Sequence, residues 1–563
     1  MFLMLFLFQA PCFLRLFMKC SCSMTNATRF PAMTLLRFSL VLLASSTLLI
    51  PSTWADAPRP NILFIFSDDH AEHAISAYGS KVNKTPNLDR LAAEGVRFTN
   101  SFVTNSICTP SRATLLTGQY SHLNGVPVFN SFDSSRDHVA KRLQAGGYHT
   151  GMVGKWHLGS DPTGFDRWIV LPGQGAYWNP MFLVPGRKLT IEGHCTDITG
   201  DLGIEFLETR PKDKPFFLML HQKAPHRGWE PDERNKELFK DRVIPEPDTL
   251  WDDYDTRPAA LPENKQTVAR DLTRRDLKLE PSASLQGAKR NQWFNEKPME
   301  VTVHGKTLVG EELVRWKYQR YMRDYLACVQ GVDDNVGKVL DYLDKTGLAK
   351  ETIVIYSADN GWYLGDLGLY DKRFMYEPGL RVPLIARGPG IKAGATPGQF
   401  VANIDLAPTF LDLAGLPIPE SMQGRSLAPL LRGETPADWR TSVYYRYYHD
   451  PGHHNTRAHF GVRTATHKLI YYWTRDAYEL FDLTRDAAEQ HNLLYADANK
   501  LEVAAKFAEL KAEIARLQEE YKDDGKYADP ATWPRGSSDG PFEGKRPLGV
   551  KTVAEAIAAA SAS

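Results

Sequence analysis

Between Pro60 and about Leu430, short β-rich apolar runs alternate with stretches of helical periodicity. That alternation is the signature of an α/β domain with a mainly parallel central sheet flanked by helices. Four of the runs lead into polar clusters: "NILFIFS" into Asp68-Asp69-His70, "HTGMVG" into Lys155-Trp156-His157, "PFFLML" into His221 and then Pro225-His226, and "TIVIYS" into Asp359-Asn360-Gly361. Ligands of such sheets bind outside the carboxyl ends of the strands, so the four clusters are candidates for one crevice.

The texture changes after Arg440. "TSVYYRYYHD", "HFGVRTATHKLIYYWT" and "AYELFDL" read as antiparallel strands, and Leu501, Ala504, Phe507, Leu510, Ile514, Leu517 and Tyr521 step along one face of a following helix. The expected organisation is a large domain over 58–435 carrying a charged, Pro-containing insertion at 227–309, then a smaller α+β domain on an antiparallel sheet over 436–525. A loosely held tail, rich in Pro, Gly and Ser and then in Ala, is expected over 526–563.

A chain of 563 residues with 43% apolar content can bury a large core, and 67 basic residues against 67 acidic ones give no global field for nucleic acid. The first 55 residues are apolar, carry Arg15, Lys19, Arg29 and Arg37, and contain no acidic residue. They read as an export leader cleaved after Ala55, with Met33 as an alternative start, an uncleaved anchor as the rival reading, and a periplasmic or extracellular destination. Cleavage would leave 63 basic against 67 acidic residues and would remove Cys12, Cys20 and Cys22. Cys108, Cys195 and Cys328 remain, an odd number that builds no disulfide framework. Cys328 shares a helix face with Tyr325, Val329, Val332, Val336, Val339, Leu340 and Leu343 and belongs to a core, whereas Cys195 has no evident partner.

Asp68, Asp69, Asp359 and Asn360 offer three carboxylates and one amide, a set of oxygen ligands suited to Ca²⁺ or Mg²⁺ rather than zinc. In "CTPSRATLLTG", Pro110 falls near the first helical position and Gly118 where a helix stops. Cys108 therefore sits at a helix N-terminus, with Arg112 one turn on along the same face. On these residues alone, a helix start with a buried cysteine remains an equal reading.

This segment, Cys108-Thr-Pro-Ser-Arg112 followed by Ala-Thr-Leu-Leu-Thr-Gly, resembles the signature of the formylglycine-dependent sulfatases of the alkaline phosphatase superfamily. "GYHTGMVGKWHLG" is similar to the second signature of that family, and "PNILFIFSDDH", "SADNGWYLGDLGLYDKRFMYEPGLRVPLIARGPG" and "YELFDLTRDAAEQHNLL" extend the resemblance over most of the chain. The resemblance implies that a maturation enzyme converts Cys108 to formylglycine. One hydroxyl of its hydrate would attack the sulfur of a sulfate ester, and the other would expel sulfate by collapse to the aldehyde. It further implies metal ligation by Asp68, Asp69, Asp359, Asn360 and modified Cys108, with Arg112 and Lys155 on the diol oxygens. His157 would remove the proton whose loss drives sulfate release; His226 and Lys372 would bind sulfate and assist the leaving oxygen.

The segment "YYRYYHDPGHHNTRAHFGVRTATHKLIYYW" and "GFDRWIVLPGQGAYWNP" are similar to regions of glycan 6-O-sulfatases acting on N-acetylglucosamine 6-sulfate or heparan-type glycosaminoglycan chains. His453, His454, Arg457 and His459, with His221, are the candidate contacts to sugar or to a second anion. Two other functions keep much of this reading: a formylglycine-dependent phosphomonoester or phosphodiester hydrolase, and a non-catalytic, calcium-stabilised glycan-binding protein.

Overall fold

A strand can be apolar from end to end only when both of its faces are covered. In the computed structural model, which describes residues 59–540 and 546–561, this is the state of the central strands. Asn61–Ser67 (β1), Phe216–His221 (β3) and Thr352–Ala358 (β4) are wholly buried, and His149–Lys155 (β2) is buried beyond its first residue. They run parallel in the spatial order β4-β1-β3-β2 within a ten-stranded sheet. Leu384–Arg387 pairs antiparallel with β4. The expected leader, with Met33 and the first three cysteines, lies outside the described residues.

Alternation along the strands builds two cores. Leu63, Ile65, Leu218, Leu220, Val354 and Tyr356 face one side, and Ile62, Phe64, Phe66, Phe217, Met219, Ile353 and Ile355 the other. The helix Cys108–Thr117 (α1) is buried at all ten positions; it sends Ala113, Leu115 and Leu116 into the second core and ends at Gly118, whose φ of 64° is the left-handed stop expected there. Gly310–Lys345 (α2) covers the first core with the face anticipated around Cys328. Cys195 opens the helix Cys195–Thr209 and is buried in the same core.

The smaller sheet is a meander of Ser442–Tyr447, His459–Thr464, His467–Tyr472 and Ala477–Asp482. Val443, Tyr445 and Tyr447 pack with Phe374 and Tyr376 beside the large sheet, while Tyr444, Val462, Leu469 and Leu480 receive Leu501–Glu520 (α3). The buried stripe of α3 is Val503, Leu510, Ile514 and Leu517, so the expected face is corrected at its start: Leu501 is 87% exposed and Ala504 is exposed. At about 100° per residue, Leu501 falls opposite Leu510, and Val503 falls in line with it.

The insertion over 227–309 reaches into the core, where Trp229 is fully buried against Tyr321, Trp362 and Tyr370. One further expectation changes. The tail is not loosely held over its described part. Leu548–Val550 adds a parallel edge strand beside Arg187–Ile191, Ala556 enters the first core, and Ser538 is buried. The Gly and Ser that read as flexibility let backbone approach backbone closely: a Cβ on Gly159 would stand 2.2 Å from the Ser537 carbonyl oxygen.

Candidate active site

Four parallel strands release their chains at one edge, and the polar clusters meet there. Asp68 and Asp69 follow β1, Lys155 ends β2, His221 ends β3, and Asp359 and Asn360 follow β4. The start of α1 brings Cys108 among them. Its thiol donates to Asp68 Oδ1 at 3.2 Å and accepts from Lys372 Nζ at 2.9 Å, with Asn360 Nδ2 3.7 Å and Lys155 Nζ 4.0 Å away. Arg112 is locked beneath it. Nε and Nη2 donate to Asp359 Oδ2 at 3.0 and 2.8 Å, and Nη1 donates to the Lys155 carbonyl at 2.8 Å. Lys155 Nζ pairs with Asp68 and donates to Gln174 Oε1 at 2.7 Å, and Lys372 Nζ pairs with Asp69. Three buried carboxylates thus face three buried cations, with none of the eight predicted floor residues more than 2% exposed.

Burial, then Asp359 and Asp371, push the Asp69 carboxyl up to about 7 against the pull of Lys372. Burial also pushes the Cys108 thiol up to about 12, so the unmodified side chain is no thiolate nucleophile at neutral pH despite its place at a helix N-terminus. Two buried oxygens in the cluster, Asp69 Oδ2 and Asn360 Oδ1, have no hydrogen-bond partner among the described residues. Ligand atoms of Asp68, Asp69, Cys108 and His226 lie within 4.8 Å of one another. Unpartnered oxygens among crowded carboxylates fit a hard divalent cation.

Above this floor opens a cavity of about 170 Å³ lined by Asp69, Cys108, His226 and Lys372, and at its mouth by Phe129, Arg227, Asp371, Arg373, His453 and His454. His226 Nδ1 donates to the Arg227 carbonyl at 3.0 Å, leaving Nε2 3.7 Å from Asp69 Oδ2. Burial, then Lys155 and Lys223, hold its pKa well below the usual imidazole range. Arg227 is fixed by a two-point pair with Asp276 of the insertion at 2.9 and 2.6 Å, and His454 Nε2 lies 2.9 Å from Asp371 Oδ2. Asp69, His157, Asp371, Arg373 and His454 all have positive φ, between 53° and 94°, a concentration of backbone strain at one locus.

The structure separates the remaining candidates. His157 lies buried beside the floor, its Nε2 3.2 Å from Asp539 Oδ1. His221 does not line the cavity: it sits under Phe64 and Phe66 with Nδ1 3.1 Å from Arg112 Nη1, and supports the guanidinium from below. His459 is fully buried among Phe374, Tyr445, Tyr447 and Tyr472, because its place in an inner strand turns it inward. Arg457 is tied to Glu263 and Asp450. These three are therefore corrected as sugar contacts, and His453 and His454 stand at the mouth. Sequence reasoning missed Gln174, Arg227, Asp371, Arg373 and Asp539. Asp371 and Arg373 flank Lys372 in "LYDKRF", so the unbroken charged triplet was an available signal; Asp539 lies 382 residues from His157 and gave none.

Fold and floor together define an alkaline phosphatase-like hydrolase centre at the carboxyl edge of a parallel sheet. The sulfatase family model matches residues 60–416, and the model for the C-terminal region of N-sulphoglucosamine sulphohydrolase matches 365–520. The chain is 43% identical to an N-acetylglucosamine-6-O-sulfatase of Bacteroides thetaiotaomicron, over 83% of this chain and 88% of that protein. It is 28% identical to human N-acetylglucosamine-6-sulfatase, over 70% and 68% respectively. A solved structure in complex with its substrate, D-glucosamine-2-N,6-O-disulfate, superposes with a TM-score of 0.77 at 41% identity, covering 83% of this chain and 99% of that one. The phosphonate monoester hydrolase of Agrobacterium radiobacter, with a TM-score of 0.60 at 21% identity, shares the fold. The chain belongs to the sulfatase family. It is an enzyme, a sulfuric ester hydrolase.

Proposed function

We propose that the protein removes the 6-O-sulfate from an N-acetylated or N-sulfated glucosamine, free or within a heparan-type glycosaminoglycan. The observation that carries this reading is Cys108 at the base of a narrow cavity, between Asp68 and Lys372. A sulfate on the exocyclic C6 arm can reach such a floor while the sugar ring stays at the mouth, where Asp371, Arg373 and His454 offer acceptors and donors to ring hydroxyls. The names and bound substrate of the relatives support the same choice.

Asp68, Asp69, Asp359 and Asn360, with residue 108, would hold Ca²⁺ or Mg²⁺; that cation, with formylglycine at 108, would supply charge neutralisation at the sulfuryl oxygens and the aldehyde-hydrate nucleophile. Arg112, clamped by Asp359 and the Lys155 carbonyl, orients residue 108 without moving. Lys155 and Lys372 place positive charge where sulfuryl oxygens would lie. His226, its ring fixed through Nδ1, turns Nε2 to the cavity, where an incoming sulfate favours its protonation and so its donation to the leaving oxygen. His157 takes the proton whose loss lets sulfate depart.

The same reading assigns 58–435 to the catalytic domain and 436–525 to a C-terminal domain, a maturation enzyme as partner, and export with Asp56 as the mature N-terminus. No helix of the described residues is long and apolar enough to cross a membrane. The test is sulfate release from defined 6-O-, 3-O- and N-sulfated glucosamines and their oligosaccharides, with an aryl phosphodiester in parallel, using protein produced alongside the maturation enzyme. Release from 6-O-sulfated sugars is expected. Preferential phosphodiester cleavage would replace the sulfate assignment, and sugar binding without turnover would favour a non-catalytic role.

A further inference from the structure

The segment 527–540 lies beyond the span of both family models and returns to the catalytic crevice. Tyr527 is anchored with Val128 and Tyr448, and Trp533 packs against them. The Ser538 N–H donates to the Phe129 carbonyl at 2.9 Å, and Ser131 Oγ donates to the Ser537 carbonyl at 3.0 Å. A Cβ on Gly159 would meet the Ser537 oxygen at 2.2 Å, and one on Gly536 would meet Ser131 Oγ at 2.5 Å; their φ values of 70° and 98° disfavour a side chain as well. The approach is built into the backbone on both sides.

It delivers two side chains to one ring nitrogen. Asp539 Oδ1 stands 3.2 Å and Ser538 Oγ 3.3 Å from His157 Nε2. An ionised carboxylate can only accept, so Nε2 carries the proton and donates it. The other nitrogen, Nδ1, is then a lone pair, and it is buried with no hydrogen-bond partner among the described residues. Burial pushes the His157 pKa down to about 3, and the hydrogen bond from His157 holds Asp539 below the usual carboxylate range, so a neutral ring faces an ionised carboxylate.

We infer that Asp539 is a positioning residue for His157. Its carboxylate fixes the tautomer with hydrogen on Nε2, which presents bare Nδ1 as the base for the proton released when sulfate departs. When that proton moves from a hydroxyl at residue 108 to Nδ1, the ring becomes a cation beside a carboxylate, and the proton later leaves to solvent. Ser538 braces the ring from the same loop. The inference rests on the proposed role of His157. The Asp539 side chain is 66% exposed and therefore screened, so its loss should cost about tenfold, at the low end for a carboxylate behind a working histidine.

Two measurements test it. In unconverted full-length protein labelled with ¹⁵N-histidine, the His157 signals, assigned by their loss in H157Q, should report a protonated Nε2 and unprotonated Nδ1. D539A and D539N, whose amide donates as well as accepts, should both mix the tautomers, and D539E, which keeps an acceptor-only carboxylate, should move the pattern back towards wild type. In converted enzyme, D539A and D539N should each lower kcat about tenfold without raising KM, D539E should recover part of the loss, and D539A should cost nothing further in an H157A background. Wild-type kcat in D539A beside a crippled H157A would overturn the inference, as would a full additional loss in the double variant or an unchanged tautomer in D539A. An unimpaired H157A would instead remove His157 from the reaction. If D539A fails to fold, D539N and D539L give the same comparison.

Discussion

The floor of the crevice comes from strand ends and one helix start, whereas its mouth comes from loops contributed by the insertion, by the hairpin around Lys372 and by the C-terminal sheet. On the floor, Asp68, Asp359, Arg112 and Lys155 are closed off from solvent, and each is held by at least one charged partner or fixed carbonyl. At the mouth, His453 is exposed and His454 only part-buried, and Arg227 depends on Asp276, 49 residues away. Under the proposed function this is a division of labour, in which charge whose position cannot vary does the chemistry and charge set on loops selects the sugar without disturbing it.

The comparison breaks first at the metal. Exhaustive chelation, with metal loss confirmed by elemental analysis, should abolish turnover and lower Tm, since a cation bound only by the folded state at a hundred times its Kd contributes about 2.7 kcal/mol. Unchanged rate and Tm would remove the oxygen cluster as a metal site. Next come the two histidines nearest the floor, His157 and His226, each expected to be worth about 10²–10⁴-fold. His157→Ala should release one desulfated sugar per site in a burst and then retain sulfate on residue 108, read as an intact-mass gain. His226→Ala should slow the first step and show no burst, and the contrast should shrink with an activated aryl sulfate. A mass gain in the His226 variant alone would reverse the roles.

The mouth should answer differently. His454→Ala should raise KM about tenfold while kcat stays within about twofold, because contacts made equally in ground and transition states are lost from binding alone. His459→Ala, at a fully buried site packed between aromatic rings, should leave KM unchanged and destabilise by about 2–4 kcal/mol, measured by denaturant unfolding. If His459→Ala moves KM and His454→Ala does not, the assignment of the mouth is inverted.

How much was legible follows the same division. The parallel sheet, the buried helix from Cys108 to Gly118 and the convergence of Asp68, Lys155 and Asp359 could be read because strand ends share an edge and local signals mark where each chain leaves it. His459 could not be sorted from His454 by composition. Five residues apart in one polar segment, one falls on a strand facing the core and the other in a turn with φ of 58°. Leu501 was misplaced by phase, since a seven-residue chain of apolar positions tolerates a first member half a turn out. Asp539 was hidden for another reason: a Gly- and Ser-rich segment has the same composition whether it is free or pressed against backbone, and only the facing glycines, Gly159 and Gly536, tell the two apart.

The central claim of the proposed function is that Cys108 acts only after conversion to formylglycine, a reading that its burial, which pushes the thiol up, supports. It is tested most directly by preparing the protein with graded amounts of maturation enzyme and quantifying, in the same samples, the aldehyde form of the peptide containing residue 108 and sulfate release from a 6-O-sulfated glucosamine. The account predicts turnover proportional to the converted fraction, passing through zero for wholly unconverted protein and for Cys108→Ala. Full turnover from protein whose residue 108 is intact cysteine would contradict it.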